Sequence, residues 1–219
     1  MERLQYLVIG VGRFGSALAH ALYLQGARVV ALDLDESKIE RIMDEVTHAL
    51  IGDATDEDVL RQAGIDECTA VIVAIGANLK ATILTTIAAK GLGAKRIICK
   101  ATTDMGAQVL ERVGADEVVR PEREMGLRLA KQLTTPALVD AFDLGTDHAV
   151  IEVKATPRLT GTLASLRLTN RFHVQVIAVN RDHDVVVSPR ADYEIQPDDT
   201  LVLIGSNDAI LRFRSHLAG

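Results

Sequence analysis

The chain is poor in several residue types, and each shortage removes a class of function. It has no tryptophan, three tyrosines and four phenylalanines in 219 residues, so it offers few flat platforms for stacking unpaired bases. Its two cysteines, Cys68 and Cys99, lie far apart with no CxxC or Cys/His cluster around either, so neither a disulfide framework nor a zinc site is indicated. Both read as small buried apolar residues. No apolar run is long enough to span a bilayer. Basic residues are not in surplus: 24 Lys and Arg against 30 Asp and Glu give a net charge of −6, and the basic ones are scattered along the chain, which argues against nucleic acid as a partner. The N-terminus runs from Met1 straight into a strand-like segment without a leader pattern, so the expected location is cytoplasmic.

What is present is aliphatic. Hydrophobic residues make up 48% of the chain and charged residues 25%, enough to bury a sizeable core of Val, Ile, Leu and Ala. From residue 4 to about 134, short Val- and Ile-rich runs alternate with segments of helical period, the pattern of repeated βα units around a parallel sheet. Strands are expected at Leu4–Gly10, Arg28–Asp33, His48–Gly52, Ala70–Ile75, Arg96–Lys100 and Glu117–Arg120. Helices are expected at Phe14–Gln25, Glu36–Val46, Glu57–Ala63, Leu79–Gly91, Met105–Val113 and Glu122–Leu133. Gly26, Gly64, Gly91 and Gly114 stand where helices should end.

The pattern changes after Thr134-Thr135-Pro136. Residues 1–134 are expected to form a Rossmann-type domain with a six-stranded parallel sheet, 135–145 a connection in which Ala137–Phe142 forms a short helix, and 146–219 a small α+β domain. In the latter, strands are expected at His148–Ala155, Val174–Asn180, Asp184–Ser188 and Thr200–Gly205, with a hairpin turn at Arg181–Asp184 and a closing helix at Asp208–Leu217. About 70 residues with few aromatics make a small core, which favours pairing with a second copy.

The chemistry concentrates at the first strand–helix turn. Gly10-Val11-Gly12-Arg13-Phe14-Gly15 follows the first strand and opens the first helix, and Asp33 closes the second strand. This is the dinucleotide-fold fingerprint. Gly10 permits a tight turn, Gly12 lets the backbone approach phosphate oxygens, Gly15 lets the helix pack on the sheet, and the helix N-terminus attracts anions. Asp33 is placed to accept from ribose hydroxyls, and its charge would repel a 2′-phosphate, which disfavours NADP. Arg13 at the helix start can fork onto the far end of a di- or triphosphate, or pair with a nearby acid on the surface. Asp53 can accept from the exocyclic amine of adenine, or cap the helix that begins near Asp56. Neither half of the chain shows a catalytic constellation, and no GxxxxGK[ST] sequence supports ATP hydrolysis, so the site reads as one that senses a nucleotide.

These motifs, together with Ala31-Leu32-Asp33-Leu34-Asp35, Thr47-His48-Ala49, Asp53-Ala54-Thr55, Val71-Ile72-Val73-Ala74-Ile75-Gly76-Ala77-Asn78 and Arg120-Pro121-Glu122-Arg123-Glu124-Met125-Gly126, resemble the cytosolic RCK (KTN) regulators of potassium transport. The resemblance covers nearly the whole chain and is nearest to the KtrA-type subunits of Ktr uptake systems. It implies a homodimer that assembles into an octameric ring beneath a KtrB- or TrkH-like membrane subunit, with ATP activating and ADP inactivating. It implies that Gly10, Gly12 and Gly15 hold phosphates, Asp33 the ribose and Asp53 the adenine. Arg13 would read the γ-phosphate, in some arrangements across the dimer from the bound nucleotide, and Glu122 would face it through a divalent cation, Mg²⁺ or Ca²⁺, shared between subunits, since a carboxylate beside phosphate needs a cation between them; by its position alone Glu122 is an acid in the first turn of the helix after Pro121. The same correspondence adds Phe14, Ala54, Thr55, Ala74, Ile75, Gly76 and Lys100 to the residues around the nucleotide. In the C-terminal domain, Asn180, Arg181 and Pro189 are the positions at which some relatives take cyclic di-AMP; an ordinary hairpin with a polar tip is the alternative. An NAD(H)-responsive regulator of the Trk type and an NAD-dependent oxidoreductase share the same fingerprint.

Overall fold

The computed structural model describes residues 4–76, 78–134, 138–182 and 184–218. Three expectations touch residues outside these: Ala77 of the fourth-strand motif, Thr135-Pro136 with Ala137 at the domain change, and His183 in the hairpin turn. By internal contacts the chain divides into two compact units, Met1–Arg123 and Glu124–Gly219.

In the first unit, the strands β1 (Gln5–Ile9), β2 (Arg28–Asp33), β3 (His48–Ile51), β4 (Ala70–Val73), β5 (Ile97–Lys100) and β6 (Glu117–Val119) form one parallel sheet in the order β3-β2-β1-β4-β5-β6. They alternate with α1 (Arg13–Leu24), α2 (Glu36–Ile42), α3 (Glu57–Gln62), α4 (Leu79–Gly91), α5 (Asp104–Val113) and α6 (Pro121–Thr134), the last of which carries the chain across the division between units. The central strands β1, β2 and β4 are mostly buried apolar residues because both faces of the sheet are covered there. Leu7, Ile9, Leu32, Val71, Val73 and Ile97 enter the core shared with Leu60, Ala89 and Leu110 of α3, α4 and α5. The intervening Val8, Val29, Ala31 and Ile72 enter the opposite core with Ala19, Ile39 and Ile42 of α1 and α2. Cys68 and Cys99 are buried here, and burial pushes both thiols up.

The strand order reverses at β1, with β2 on one side and β4 on the other. Ligands of doubly wound sheets bind at such a switch point, outside the C-terminal strand ends.

The second unit holds an antiparallel sheet of β7 (Leu138–Leu144), β8 (His148–Lys154), β10 (Gln175–Arg181), β11 (Asp184–Val187) and β13 (Thr200–Ser206), ordered β11-β10-β13-β8-β7, and a small pair, β9 (Gly161–Thr162) with β12 (Glu194–Ile195). One face of the larger sheet buries Ile151, Val153, Val179, Leu201 and Leu203 against α7 (Leu163–Leu166), α8 (Leu168–Phe172) and α9 (Asn207–Ala218), where Phe213 is fully buried.

Three expectations need correction, and one stretch holds elements that were not expected. The short helix expected over Ala137–Phe142 is not formed in its described residues: Leu138–Leu144 is a strand paired with β8, and a register shift between Leu138 and Asp140 breaks the alternation that would have revealed it. The helix from Glu36 ends at Ile42 and continues as a 3₁₀ turn over Met43–Glu45. Gly91 remains helical, and the left-handed position after α4 falls at Gly93, whose φ is 81°. The two short helices α7 and α8 sit in a stretch for which no element was expected.

Candidate nucleotide site

A cavity of about 430 Å³ opens at the switch point. Of the residues expected around a nucleotide, Gly10, Gly12, Arg13, Phe14, Asp33, Asp53, Ala54, Ala74, Ile75, Gly76 and Lys100 line it. Gly15, Thr55 and Glu122 do not.

Two glycines are dictated by packing. Gly10 has φ of 90°, and a Cβ there would lie 2.8 Å from the Ala74 carbonyl across the switch point. A Cβ on Gly15 would lie 2.0 Å from the Gly10 carbonyl oxygen, so Gly15 works behind the cavity, letting α1 press on β1. Gly12, the residue before α1, has nothing within 4 Å of its Cβ position and leaves the mouth open.

The N-terminus of α1 differs from those of α2 to α5. Asp35, Asp56, Asn78 and Thr103 each accept a hydrogen bond from a first-turn amide and cap α2, α3, α4 and α5. Gly12 supplies no side chain, and α1 has no acidic residue in its first turn. The amides of that turn and the helix dipole therefore face the cavity without an internal anion. Arg13 stands beside them, exposed, with no hydrogen bond or ion pair among the described residues.

Lys100 projects from the end of β5 into the same cavity, 11% exposed, with its ammonium 5.8 Å from the centre of the Phe14 ring. It donates to Glu122 Oε1 at 2.7 Å. That bond, with Arg13 adding a weaker attraction, holds the Glu122 carboxyl below its ordinary value. Within one chain, then, Glu122 already has a cation beside it. Among the described residues, no three His, Cys, Asp or Glu side chains gather to hold a metal ion. A single carboxylate already bonded to an ammonium is not a complete divalent site within one chain, and the cation expected at Glu122 is one shared between subunits.

At the other end of the cavity, Asp33 is 9% exposed. Its Oδ2 accepts from the Val11 amide at 2.9 Å and its Oδ1 from the Asp35 amide at 2.9 Å. Lys38, which the sequence reading overlooked, lies 3.2 and 3.3 Å from the two oxygens. Asp33 therefore faces the cavity with an ammonium beside it. The signal was in the sequence: capping at Asp35 starts α2 at Glu36 and turns Lys38 back toward Asp33. Asp53, exposed at the cavity wall, accepts at one oxygen from the amide and hydroxyl of Thr55, which lower its pKa. It does not cap α3, since Asp56 does so through the Asp58 amide. Asn78 and Asp35 complete the polar lining.

The residues considered for a cyclic dinucleotide sit in the second unit. Asn180 lies on β10, opposite Val185 of β11 and Thr200 of β13. Pro189 follows β11. Arg181 is committed elsewhere: its Nε and Nη2 donate to the two oxygens of Asp199 at 2.7 Å each, and Nη2 also reaches the Glu194 carbonyl at 2.9 Å. Asp199 is buried, and the fork pulls its carboxyl down while pushing the guanidinium up.

The TrkA-N domain family matches residues 6–121 and the TrkA-C domain family residues 150–218. The Ktr system potassium uptake protein C of Bacillus subtilis (strain 168) is 40% identical over 214 residues, covering 97% of each chain. The chain belongs to the TrkA-N/TrkA-C family of potassium-transport proteins. Another member, the Ktr system potassium uptake protein A of the same organism, is 34% identical over 96% of both chains. Among solved structures, the GsuK channel bound to NAD superposes with a TM-score of 0.70 over 99% of this TrkA-N/TrkA-C chain at 19% identity, which speaks to the fold. The GsuK RCK domain gives 0.55 over 100% of the chain at 27% identity. The chain spans 40% and 47% of those two longer polypeptides. Among the described residues, no helix is long and apolar enough to cross a membrane.

Proposed function

We propose that this chain is a cytoplasmic, nucleotide-sensing regulatory subunit of a separate membrane potassium channel or transporter, with ATP and ADP as the ligands that set its two states. One observation carries the reading. Helix α1 is the one among α1 to α5 without a side-chain cap, and Arg13, with no hydrogen bond or close ion pair among the described residues, stands at its mouth in the cavity that Asp33 and Asp53 close at the other end. An anion is the missing partner of that helix end, and an adenosine fits the carboxylate end.

The switch follows from differential binding, since a ligand moves an equilibrium only by as much as it prefers one state. ATP and ADP share the adenosine and the first two phosphates, so Gly12, the α1 amides and Asp33 treat them alike. The γ-phosphate is the group that can engage Arg13 and compete with Glu122 for Lys100. ADP leaves the Lys100–Glu122 pair undisturbed. Glu122 is the second residue of α6, the helix that leads out of the first unit, which supports it as the point where occupancy becomes a change of shape. The membrane partner, the homodimer and the octameric ring rest on the resemblance to Ktr regulators.

Calorimetric titration of the nucleotide-stripped protein with ATP, ADP, NADH and cyclic di-AMP tests the reading, with Asp33→Ala as control. ATP and ADP should bind, ATP more tightly, and Asp33→Ala should weaken both. Binding of NADH alone would instead identify an NAD(H)-responsive regulator, and binding of none would end the nucleotide reading.

A further inference from the structure

Asp33 serves two masters at the ribose end of the cavity. A carboxylate has about four lone-pair positions. The Val11 amide takes one on Oδ2 and the Asp35 amide one on Oδ1, and both donors are fixed backbone groups. Lys38 Nζ, at 3.2 and 3.3 Å, straddles what remains. This donor is different in kind: it is the tip of a flexible side chain, 36% exposed, and it lines the cavity. A ribose diol needs the same remaining positions, so it cannot bind Asp33 through both hydroxyls while Lys38 is in place.

The ammonium has somewhere to go. Asp35 Oδ2 lies 4.0 Å from Lys38 Nζ, whereas Asp35 Oδ1 is held by the amide and hydroxyl of Ser37 at 3.0 and 2.7 Å as the cap of α2. A small swing of the lysine exchanges Asp33 for Asp35 without leaving the charge unpaired.

We propose that Lys38 is an internal competitor for the ribose site, and that it decides what the ribose end accepts. A free diol must displace it, so the apparent affinity falls by the fraction of molecules in which the lysine covers Asp33. A phosphate in place of the 2′-hydroxyl gains the ammonium as a partner, so Lys38 softens the exclusion that Asp33 alone would impose. The inference rests on the nucleotide reading of this cavity and adds a specificity residue to it.

The test is calorimetric titration of ADP into wild type, Lys38→Met and Lys38→Arg, with NADH and NADPH in parallel and a thermal midpoint for each variant as a folding check. Methionine keeps the length and helix preference of the side chain and removes its charge. Lys38→Met should bind ADP roughly two- to fivefold more tightly, the effect expected for releasing a partly exposed ion pair. Lys38→Arg should stay within about twofold of wild type, and the penalty for NADPH relative to NADH should grow several-fold in Lys38→Met. Unchanged or weaker ADP binding by a folded Lys38→Met overturns the competition while leaving the nucleotide reading intact, provided the wild type binds ADP. If neither protein takes ADP, the nucleotide reading itself fails and the competition falls with it; ADP alone decides if neither dinucleotide binds.

Discussion

Arg13 by its motif and Arg181 by the family resemblance are both candidate phosphate ligands, and the fold treats them oppositely. Arg181 is forked onto a buried carboxylate, with each oxygen of Asp199 taken at 2.7 Å. Arg13 is exposed beside the uncapped end of α1. A charge that the chain has already matched holds structure together, and a charge left unmatched in a concave, amide-lined site is available to a ligand. The first unit therefore carries the stronger case for binding, and the second shows how a similar motif is absorbed into packing.

The sharpest way to separate the two regions is to break each scaffold. Gly15→Ala places a Cβ 2.0 Å from the Gly10 carbonyl oxygen, a backbone atom that cannot yield. It should cost about 3 kcal/mol or more in denaturant unfolding and abolish nucleotide binding. Asp199→Ala leaves the Arg181 fork and the Gln196 amide without their acceptor. It should cost about 2 to 4 kcal/mol while leaving ATP and ADP affinities within about twofold of wild type. Loss of nucleotide affinity in a folded Asp199→Ala protein would contradict the division of roles.

A smaller effect distinguishes the same regions by pH. Arg181 holds Asp199 below the ordinary aspartate value of 3.8 in the folded state. A depressed folded pKa contributes stability that is complete above the unfolded value and is lost as pH falls through the folded one. Denaturant midpoints should therefore drop below about pH 4, and Asp199→Asn should flatten that drop while lowering stability at neutral pH.

How much of this was legible depended on whether the determining contacts were local. The strand Arg28–Asp33 and the helix Leu79–Gly91 have the bounds expected of them, because apolar runs and helical period are properties of contiguous residues. The strand Leu138–Leu144 was not legible: its two aspartates and the register shift at Leu138/Asp140 blur the period of two, and its pairing with β8 is what defines it. In the site, the glycines and Asp33 followed from spacing alone. Lys100 bonding to Glu122, 22 residues away, and Arg181 to Asp199, 18 away, depend on which strand ends the fold brings together. Lys38 was the local signal that went unread.

The most direct measurement is the ratio of ADP to ATP dissociation constants in wild type and Arg13→Ala, by calorimetry on stripped protein. Arg13 makes no internal bond among the described residues, so the variant should keep its stability within about 0.5 kcal/mol. Its ATP affinity should fall about tenfold and its ADP affinity by no more than about twofold, so that the preference for ATP collapses. Equal losses for the two nucleotides, or none, would contradict the claim that Arg13 reads the terminal phosphate.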